Sequence, residues 1–194
     1  IIQSGIMRCG IDVGGTKIEA AVLSDSGQFL FRERINTPKS YTAMVHAIKA
    51  SVESAARNTG YDGPVGICMP GSVSKKTGLI QGANTTYLNG RNFQKDLQAA
   101  LNRLVRLSND ANCFALSEAI EGAGAGANVV FGVIIGTGCG GGIVVNGQLI
   151  HGVNSIAGEW GHTPLPWPVA NEFDNHDCWC GKTGCLETYI SGTA

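Results

Sequence analysis

Residues 8–23 have the sequence RCGIDVGGTKIEAAVL, in which two apolar runs flank the turn Gly14-Gly15. The run before the turn, Arg8 to Asp12, and the run after it, Ile18 to Leu23, each have the length and apolar content of a β-strand. A third strand is predicted from Gln28 to Ile35, after a turn that contains serine and glycine. Together the three segments predict an antiparallel meander at the start of an α/β domain.

The turn itself carries groups that suit phosphate binding. Its candidate residues are Asp12, Gly14, Gly15, Thr16 and Lys17. Glycines let the backbone approach an anion and point amide groups at it, and the Thr and Lys side chains add donors. An acidic residue at the strand end could hold a hydrated Mg²⁺ ion. The alternative is a plain hairpin with a charged turn, and spacing alone leaves the two interpretations open.

The rest of the chain predicts helices that alternate with strands, which is typical of α/β layers. Helices are predicted over 42–58, 93–104 and 110–121, and strands over 65–69, 105–107 and 129–135. The apolar face of the first helix is predicted to consist of Val45, Ile48, Val52 and Ala55. A hairpin is predicted around Asn146-Gly147. Because the glycine-rich linker Gly122–Gly126 follows the third helix, we expect two domains, residues 7–121 and 122–194.

Composition limits the class of protein. The chain has 194 residues, of which 43% are hydrophobic, with 14 basic and 15 acidic residues and a net charge of −1. This balance argues against nucleic-acid binding, which needs a basic surface to neutralise phosphates. The longest apolar runs fall far short of the roughly 20 residues of a membrane span, and the first residues lack the pattern of a secretory signal. We therefore expect a soluble, cytoplasmic protein without a membrane partner.

A second glycine run, Gly136–Gly142, follows the strand predicted over 129–135. It contains the pattern G-x-G-x-x-G, but a dinucleotide site requires a helix to begin at the glycines. Here the next residues, 143–147, have strand and hairpin sequence. Two glycine turns between hairpin strands, one in each half of the chain, favour two phosphate-binding loops that face each other across a cleft.

A cysteine cluster near the end of the chain points to a metal. Cys178, Cys180 and Cys185 fall within eight residues, and His162 offers a fourth ligand. Three thiolates and one imidazole suit tetrahedral, structural Zn²⁺, which would anchor the aperiodic segment 151–179. His176 is closer to the cysteines in sequence than His162 is, so the spacing alone does not decide which histidine is the fourth ligand. Core burial or redox pairing of the cysteines is the alternative to zinc.

Acidic and amide side chains complete the set of candidates. Asp110 follows a predicted strand and precedes a predicted helix, so it is either an N-cap or a general base that accepts a hydroxyl proton. Glu159, His162 and Glu187 are polar groups that could bind sugar hydroxyls. Taken singly, each of them would more often be a solvated surface residue.

The motifs occur in an order that resembles the ROK (repressor, ORF, kinase) family of sugar kinases. They are DVGGTK (12–17), Pro70-Gly71, NDAN (109–112), IGTGCGGG (135–142), GEWGH (158–162) and CWCGKTGCLE (178–187). The resemblance extends from Met7 to the last residue. Three further segments, GEWGHTPLPW, LNG and NDANCFALSEA, look most like the bacterial fructokinase (mannokinase) branch.

The resemblance implies the actin-like, hexokinase-like ATPase fold (ribonuclease H-like), with two α/β domains around a cleft. Family kinases begin close to the position of Met7 and continue beyond that of Ala194. By resemblance, residues 1–6 are therefore expected to be upstream sequence and the second domain to be truncated. Family repressors carry a helix-turn-helix domain before the first glycine loop, whereas only eleven residues precede Asp12, so a kinase is expected.

The resemblance also implies roles for individual residues. Asp110 matches the catalytic base. The nucleotide-binding positions are Asp12, Gly14, Gly15, Thr16 and Lys17 in the first loop, and Gly136, Thr137, Gly138 and Gly140 in the second. The sugar-binding positions are Asn84, Asn109, Asp110, Glu159, His162 and Glu187. The zinc ligands are His162, Cys178, Cys180 and Cys185, which selects His162 over His176.

The expected activity is ATP- and Mg²⁺-dependent phosphorylation of a hexose at its 6-hydroxyl. Fructose is predicted as the best acceptor, giving fructose 6-phosphate, with mannose second. The alternatives are an N-acetylhexosamine or glucose kinase of the same family, or a non-catalytic sugar-binding fragment. A homodimer is expected.

Overall fold

A computed structural model describes residues 7–172 and 176–194 of the chain. Residues 1–6, expected to be upstream sequence, lie outside the described residues. The chain divides into two compact units, the first ending at Asp110 and the second comprising Ala111–Ala194. The sequence placed this division after residue 121, at the other end of the intervening helix. For the whole protein, the division into domains stays a prediction.

The first unit is built on a five-stranded mixed sheet. The strands of this sheet are β1 (Arg8–Val13), β2 (Lys17–Leu23), β3 (Phe29–Asn36), β4 (Val65–Met69) and β7 (Val105–Asn109). The unit also contains a separate pair of short strands, β5 (Ser72–Val73) and β6 (Ile80–Gln81), and the helices α1 (Tyr41–Thr59) and α2 (Phe93–Leu101). The sheet order is β3-β2-β1-β4-β7. The predicted meander forms its antiparallel half, and β4 and β7 run parallel to β1.

The core of this unit lies between one sheet face and the helices. Every second residue of β1 is buried, as the period of a strand requires. The α1 helix begins after Ser40, whose side chain accepts a hydrogen bond from the Ala43 amide, and it buries Met44, Ile48 and Val52. Val45, predicted on the buried face, is only partly buried, because the helical period of the fully buried positions starts one residue earlier.

The three parallel strands end at one edge of the sheet. Asp12 of β1 lies opposite Cys68 of β4, and Cys68 lies opposite Ser108 of β7. Since neighbouring strands are about 4.8 Å apart, the backbones of Asp12 and Ser108 lie about 10 Å apart. Open α/β sheets bind ligands at the carboxyl ends of their strands, so this edge is the place to look for a site.

The second unit contains a smaller, antiparallel sheet. Its elements are α3 (Asp110–Ile120), β8 (Val129–Ile135), β9 (Cys139–Val145), β10 (Gln148–Leu149) and α4 (Glu187–Ile190), with strand order β10-β9-β8. Asn146 and Gly147 both have positive φ, 50° and 73°, which confirms the predicted hairpin turn. The α3 helix packs closely on this sheet, because a Cβ at Gly132 would lie 2.7 Å from that of Ala115.

The segment between β10 and α4 contains little regular structure, in agreement with its lack of periodicity. Within its described part it has one 3₁₀ turn, Ala170–Glu172, and two isolated β-bridges, which join Pro164 to Cys185 and Asp177 to Thr183. Among the described residues, no helix combines the length and apolar character needed to cross a membrane.

Candidate functional site

In the first glycine loop, Asp12–Lys17, three carbonyl groups accept hydrogen bonds from nearby residues. The Gly14 amide donates to the Lys17 carbonyl at 2.9 Å, which closes the turn. Thr37, just after β3, donates its amide to the Thr16 carbonyl at 2.9 Å and its hydroxyl to the Gly14 carbonyl at 2.7 Å. Among the described residues, the amides of Gly15 and Thr16 donate to no protein group. The loop therefore has amide donors available for an anion.

Asp12 and Asp110 occupy the carboxyl edge of the first sheet. Asp12 is exposed at the end of β1, and the half-buried thiol of Cys68 lies 3.6 Å from its Oδ1. Asp110 is exposed and is the first residue of α3, directly after β7. Asn109 precedes it and donates its side-chain amide to the Gly71 carbonyl at 3.2 Å, in the predicted Pro70-Gly71 turn. Because α3 begins at Asp110 itself, the positive end of the helix dipole stabilises the negative charge of this carboxylate.

Asn84 lies on a loop that another asparagine fixes in place. The Asn89 side chain accepts from the Ala83 amide and donates to the Ala83 carbonyl, both at 2.9 Å. This pair of bonds imitates a strand pairing, and it fixes the backbone immediately before Asn84. Asn84 itself is exposed and therefore accessible to a ligand.

The second glycine loop, Gly136–Gly142, is tightened in the same manner. Its turn closes through a 2.9 Å bond from the Gly136 amide to the Gly138 carbonyl. Two residues that follow α4 donate to carbonyl groups of this turn. The Gly192 amide donates to the Gly136 carbonyl at 2.6 Å, and the Thr193 hydroxyl donates to the Thr137 carbonyl at 2.9 Å. Gly140 lies within strand β9 and not in the turn. Among the described residues, the amides of Thr137 and Gly138 donate to no protein group.

The motif Gly158–His162 lies directly against strand β9. A Cβ at Gly158 would come within 2.6 Å of the Gly141 carbonyl oxygen, and one at Gly161 within 2.4 Å of the Cys139 carbonyl oxygen. The Trp160 indole donates to the Gly140 carbonyl at 2.7 Å. These contacts place Glu159 and His162 beside the second glycine loop.

His162, Cys178, Cys180 and Cys185 converge on one point. Their ligand atoms all lie within 4.8 Å of one another. The Cys178 Sγ is 3.4 Å from the His162 Nδ1, and the Cys180 and Cys185 sulfurs are 3.6 Å apart. Bonds of 2.0–2.3 Å in a tetrahedral site put neighbouring ligand atoms about 3.5–3.8 Å apart. The other histidine, His176, instead packs its ring against Tyr189, with 4.7 Å between the ring centroids.

The thiols of this cluster differ in acidity. Burial raises the pKa of Cys178, and burial together with the neighbouring thiols raises that of Cys185 to about 12. Burial also acts against the Cys180 thiolate, but hydrogen bonds from the Lys182 amide and the other two thiols lower the pKa of Cys180 overall. A cation at the centre would deprotonate all three, because zinc binds thiolate and displaces the proton.

Glu187 has both carboxylate oxygens engaged by protein donors. Its Oε2 accepts from the Cys139 amide and its Oε1 from the Trp179 indole, each at 2.7 Å. The residue is only 7% exposed, at the start of α4. Each carboxylate oxygen can accept a second bond, so the sugar contact implied by resemblance stays a prediction.

Comparison with known sequences assigns the family. The sequence model of the ROK family matches residues 8–194. The chain belongs to the ROK family. The most similar solved structures include the ROK glucokinase from Streptomyces griseus in complex with glucose and AMPPNP. It is 34% identical, with a TM-score of 0.83, and the match covers 96% of this ROK chain and 58% of that one. The predicted hexokinase-like ATPase fold is thereby confirmed.

Curated relatives of this ROK protein phosphorylate amino sugars. It is 42% identical over 190 residues to N-acetylgalactosamine kinase AgaK from Shewanella sp. (strain ANA-3), a match covering 96% of this chain and 61% of that protein. It is also 42% identical over 191 residues to N-acetyl-D-glucosamine kinase from Salmonella typhimurium (strain LT2), covering 96% and 63%. The chain thus spans a little over three fifths of the length of these relatives.

Four residues of the site were not selected from the sequence. Thr37, Asn89, Trp179 and Thr193 each fix a loop that carries a predicted site residue. Thr37 is typical of many strand ends, and it carries no signal of its own. Trp179 carries no such signal either, because the residue is exposed and an exposed indole can donate to water.

Proposed function

We propose that this ROK protein transfers the γ-phosphoryl group of ATP to the 6-hydroxyl of an N-acetylhexosamine. The observation that supports it is the 42% identity to two amino-sugar kinases over 96% of the chain. The first sheet also has the glycine loop Asp12–Lys17 and the exposed Asp110 carboxylate at the same edge. Homodimer formation stays part of the proposal.

Each glycine loop, taken within its own unit, would bind phosphate through backbone amides. In both loops, flanking residues occupy carbonyl groups that would otherwise repel a phosphate. The Thr16 and Thr137 hydroxyls and the Lys17 ammonium group add donors suited to phosphate oxygens. Asp12 fits Mg²⁺, which prefers one or two carboxylates and keeps several waters, because its carboxylate is exposed at the strand end. Bound Mg²⁺ would neutralise charge on the phosphates.

Asp110 would act as the general base. The sugar 6-hydroxyl loses its proton to the Asp110 carboxylate while its oxygen forms a bond to the γ-phosphorus. The bond from that phosphorus to the β,γ-bridging oxygen breaks, and ADP leaves with the electron pair. Asn109, held by the Gly71 carbonyl, would orient the sugar beside this carboxylate.

The preferred acceptor sugar distinguishes an N-acetylhexosamine kinase from a fructokinase. We expect kcat/KM for N-acetylglucosamine or N-acetylgalactosamine to exceed that for fructose and mannose by about tenfold or more. Discrimination of that size corresponds to about 1.4 kcal/mol, which a few contacts to an acetamido group supply. An ADP-release assay of the full protein with these sugars and glucose measures the preference. Fructose as the best acceptor would restore the fructokinase assignment, and no turnover with any of the sugars would favour a non-catalytic sugar-binding protein.

Thr37 gives a test of the first glycine loop. Thr37→Val keeps the shape of the side chain but removes the hydroxyl that binds the Gly14 carbonyl. Because one hydrogen bond contributes about 0.5–1.5 kcal/mol, we expect KM for ATP to rise about 3- to 10-fold with little change in KM for the sugar. Thr37→Ser retains the hydroxyl and serves as the matched control. Equal ATP KM values for the Val and Ser variants would contradict the assigned role.

A structural Zn²⁺ ion fits the cluster of His162 and the three cysteines. The donor set is that of structural zinc, and the two sulfur separations given above, 3.4 and 3.6 Å, are close to those of a tetrahedral site. Zinc would supply cross-links to a segment that has almost no regular structure. With Nδ1 of His162 directed at the thiols, Nε2 is the ring nitrogen left for a sugar hydroxyl.

A further inference from the structure

The loop between Cys178 and Cys180 is joined to the second glycine loop through a single carboxylate. Trp179 belongs to the first of these loops, and its indole donates to Oε1 of Glu187 at 2.7 Å. The Cys139 amide belongs to the second, and it donates to Oε2 at 2.7 Å. The Trp179 ring also contacts the edge of His162, with 5.0 Å between centroids.

The surroundings favour the hydrogen bond to Oε2 most. Glu187 is 7% exposed and Cys139 5% exposed, so little water competes for that bond, whereas Trp179, the donor to Oε1, is 59% exposed. Hydrogen bonds to a charged acceptor are roughly twice as strong as neutral ones. The fit around the carboxylate is also close, because a Cβ at Gly138 would lie 2.6 Å from Oε2. The Glu187 carboxylate therefore packs directly against the turn at Gly136–Gly138.

We infer that Glu187 is a positioning residue for the phosphate-binding turn, and that it ties this turn to the loop of the cysteine cluster. This inference rests on the proposed kinase function and deepens it. A residue that only binds sugar would affect the sugar site alone. A residue that also fixes the Cys139 amide sets the conformation in which Thr137 and Gly138 present their amides to phosphate.

Amide exchange measured by NMR tests the link without nucleotide or sugar. Glu187→Gln can accept from only one of the two donors and loses the charge that strengthens both bonds, so exchange of the Cys139 amide should accelerate about tenfold or more. Trp179→Phe keeps an aromatic ring but removes the indole donor, and it should accelerate the same amide to a smaller extent. Val144 lies near the end of β9, opposite both Leu149 of β10 and Val130 of β8, so exchange of its amide reports opening of this sheet and should stay unchanged.

Glu172→Gln is the matched control. Its carboxylate also accepts from a backbone amide, that of Val169 at 2.8 Å, but away from the glycine loop. If Glu187→Gln accelerates Cys139 no more than this control does, the inference is wrong. If Glu187→Gln also accelerates exchange of the Val144 amide, the Trp179→Phe variant provides the test. An unchanged exchange rate of the Cys139 amide in that variant overturns the link.

Kinetics then separate positioning from a sugar contact. We expect both Glu187→Gln and Trp179→Phe to raise KM for ATP, because both loosen the turn. A rise confined to KM for the sugar would overturn the inference. The two proposals fail separately, because amide exchange needs no catalysis: an inactive parent protein contradicts the kinase function, whereas an unperturbed Cys139 amide contradicts the link.

Discussion

Replacing Asp110 with Asn is expected to lower kcat about 10²- to 10⁴-fold in the full protein. The substitution keeps the size of the side chain and removes the carboxylate that would accept the proton of the sugar hydroxyl. Asp110 is exposed at the carboxyl edge of the sheet, and Asn has nearly the same size and caps a helix about as well as Asp. We therefore expect a nearly normal Tm and nearly normal sugar binding, measured by calorimetry.

Asp96→Asn is the control for the helix-terminus effect. Asp96 is the acidic residue in the first turn of α2, as Asp110 is in α3, but it also accepts a hydrogen bond from the Tyr41 hydroxyl. Loss of a carboxylate at a helix N-terminus costs about 0.3–1 kcal/mol, so the loss of stability in the Asp96 variant sets an upper limit on this effect. If the Asp110 variant turns over within a few-fold of the parent, its carboxylate serves the helix and not the reaction.

Replacing Cys180 with Ser is expected to release one zinc ion per chain and to destabilise the fold. Bound metal at a thousandfold excess over its dissociation constant stabilises the folded state by about 4 kcal/mol. For a protein of this size that corresponds to a fall in Tm of roughly 8–16 °C. Metal analysis of the purified protein and thermal unfolding with and without a chelator measure both effects.

Cys113→Ser is the matched control for the metal site. This thiol lies on α3, half-buried and outside the cluster. The variant should retain its zinc and its response to the chelator. A parent protein that contains no zinc, or a Cys180 variant with the stability of the parent, would contradict the metal assignment.

Local sequence patterns predicted most of the regular structure. The meander, the first helix and the Asn146-Gly147 hairpin each depend on residues close together in the chain, and each lies where it was expected. The short strands β5 and β6 were missed, since two-residue strands have no measurable period. The α2 helix ends at Leu101 and not at 104, because Asn102 adopts a left-handed conformation that the sequence does not signal.

The candidate residues could be found from the sequence, but the groups that fix them could not. Thr37 binds Gly14 across 23 positions, and Cys139 binds Glu187 across 48. Such pairs form only when the sheet register brings their strands and loops together. Acceptor preference stays a prediction for another reason. The motifs that suggested a fructokinase contain groups suited to the hydroxyls that all hexoses share, and the two curated relatives described above are amino-sugar kinases.

The close backbone contact between strand β9 and Gly158 and Gly161 limits how the acceptor preference could be redesigned. A side chain at either glycine would meet main-chain atoms within 2.6 Å, which no repacking of neighbours relieves. Saturation libraries across 158–162 would therefore return mostly misfolded clones, and an alanine scan would mistake packing positions for substrate contacts. Directed evolution should keep these glycines constant and randomise positions in the exposed loop around Asn84.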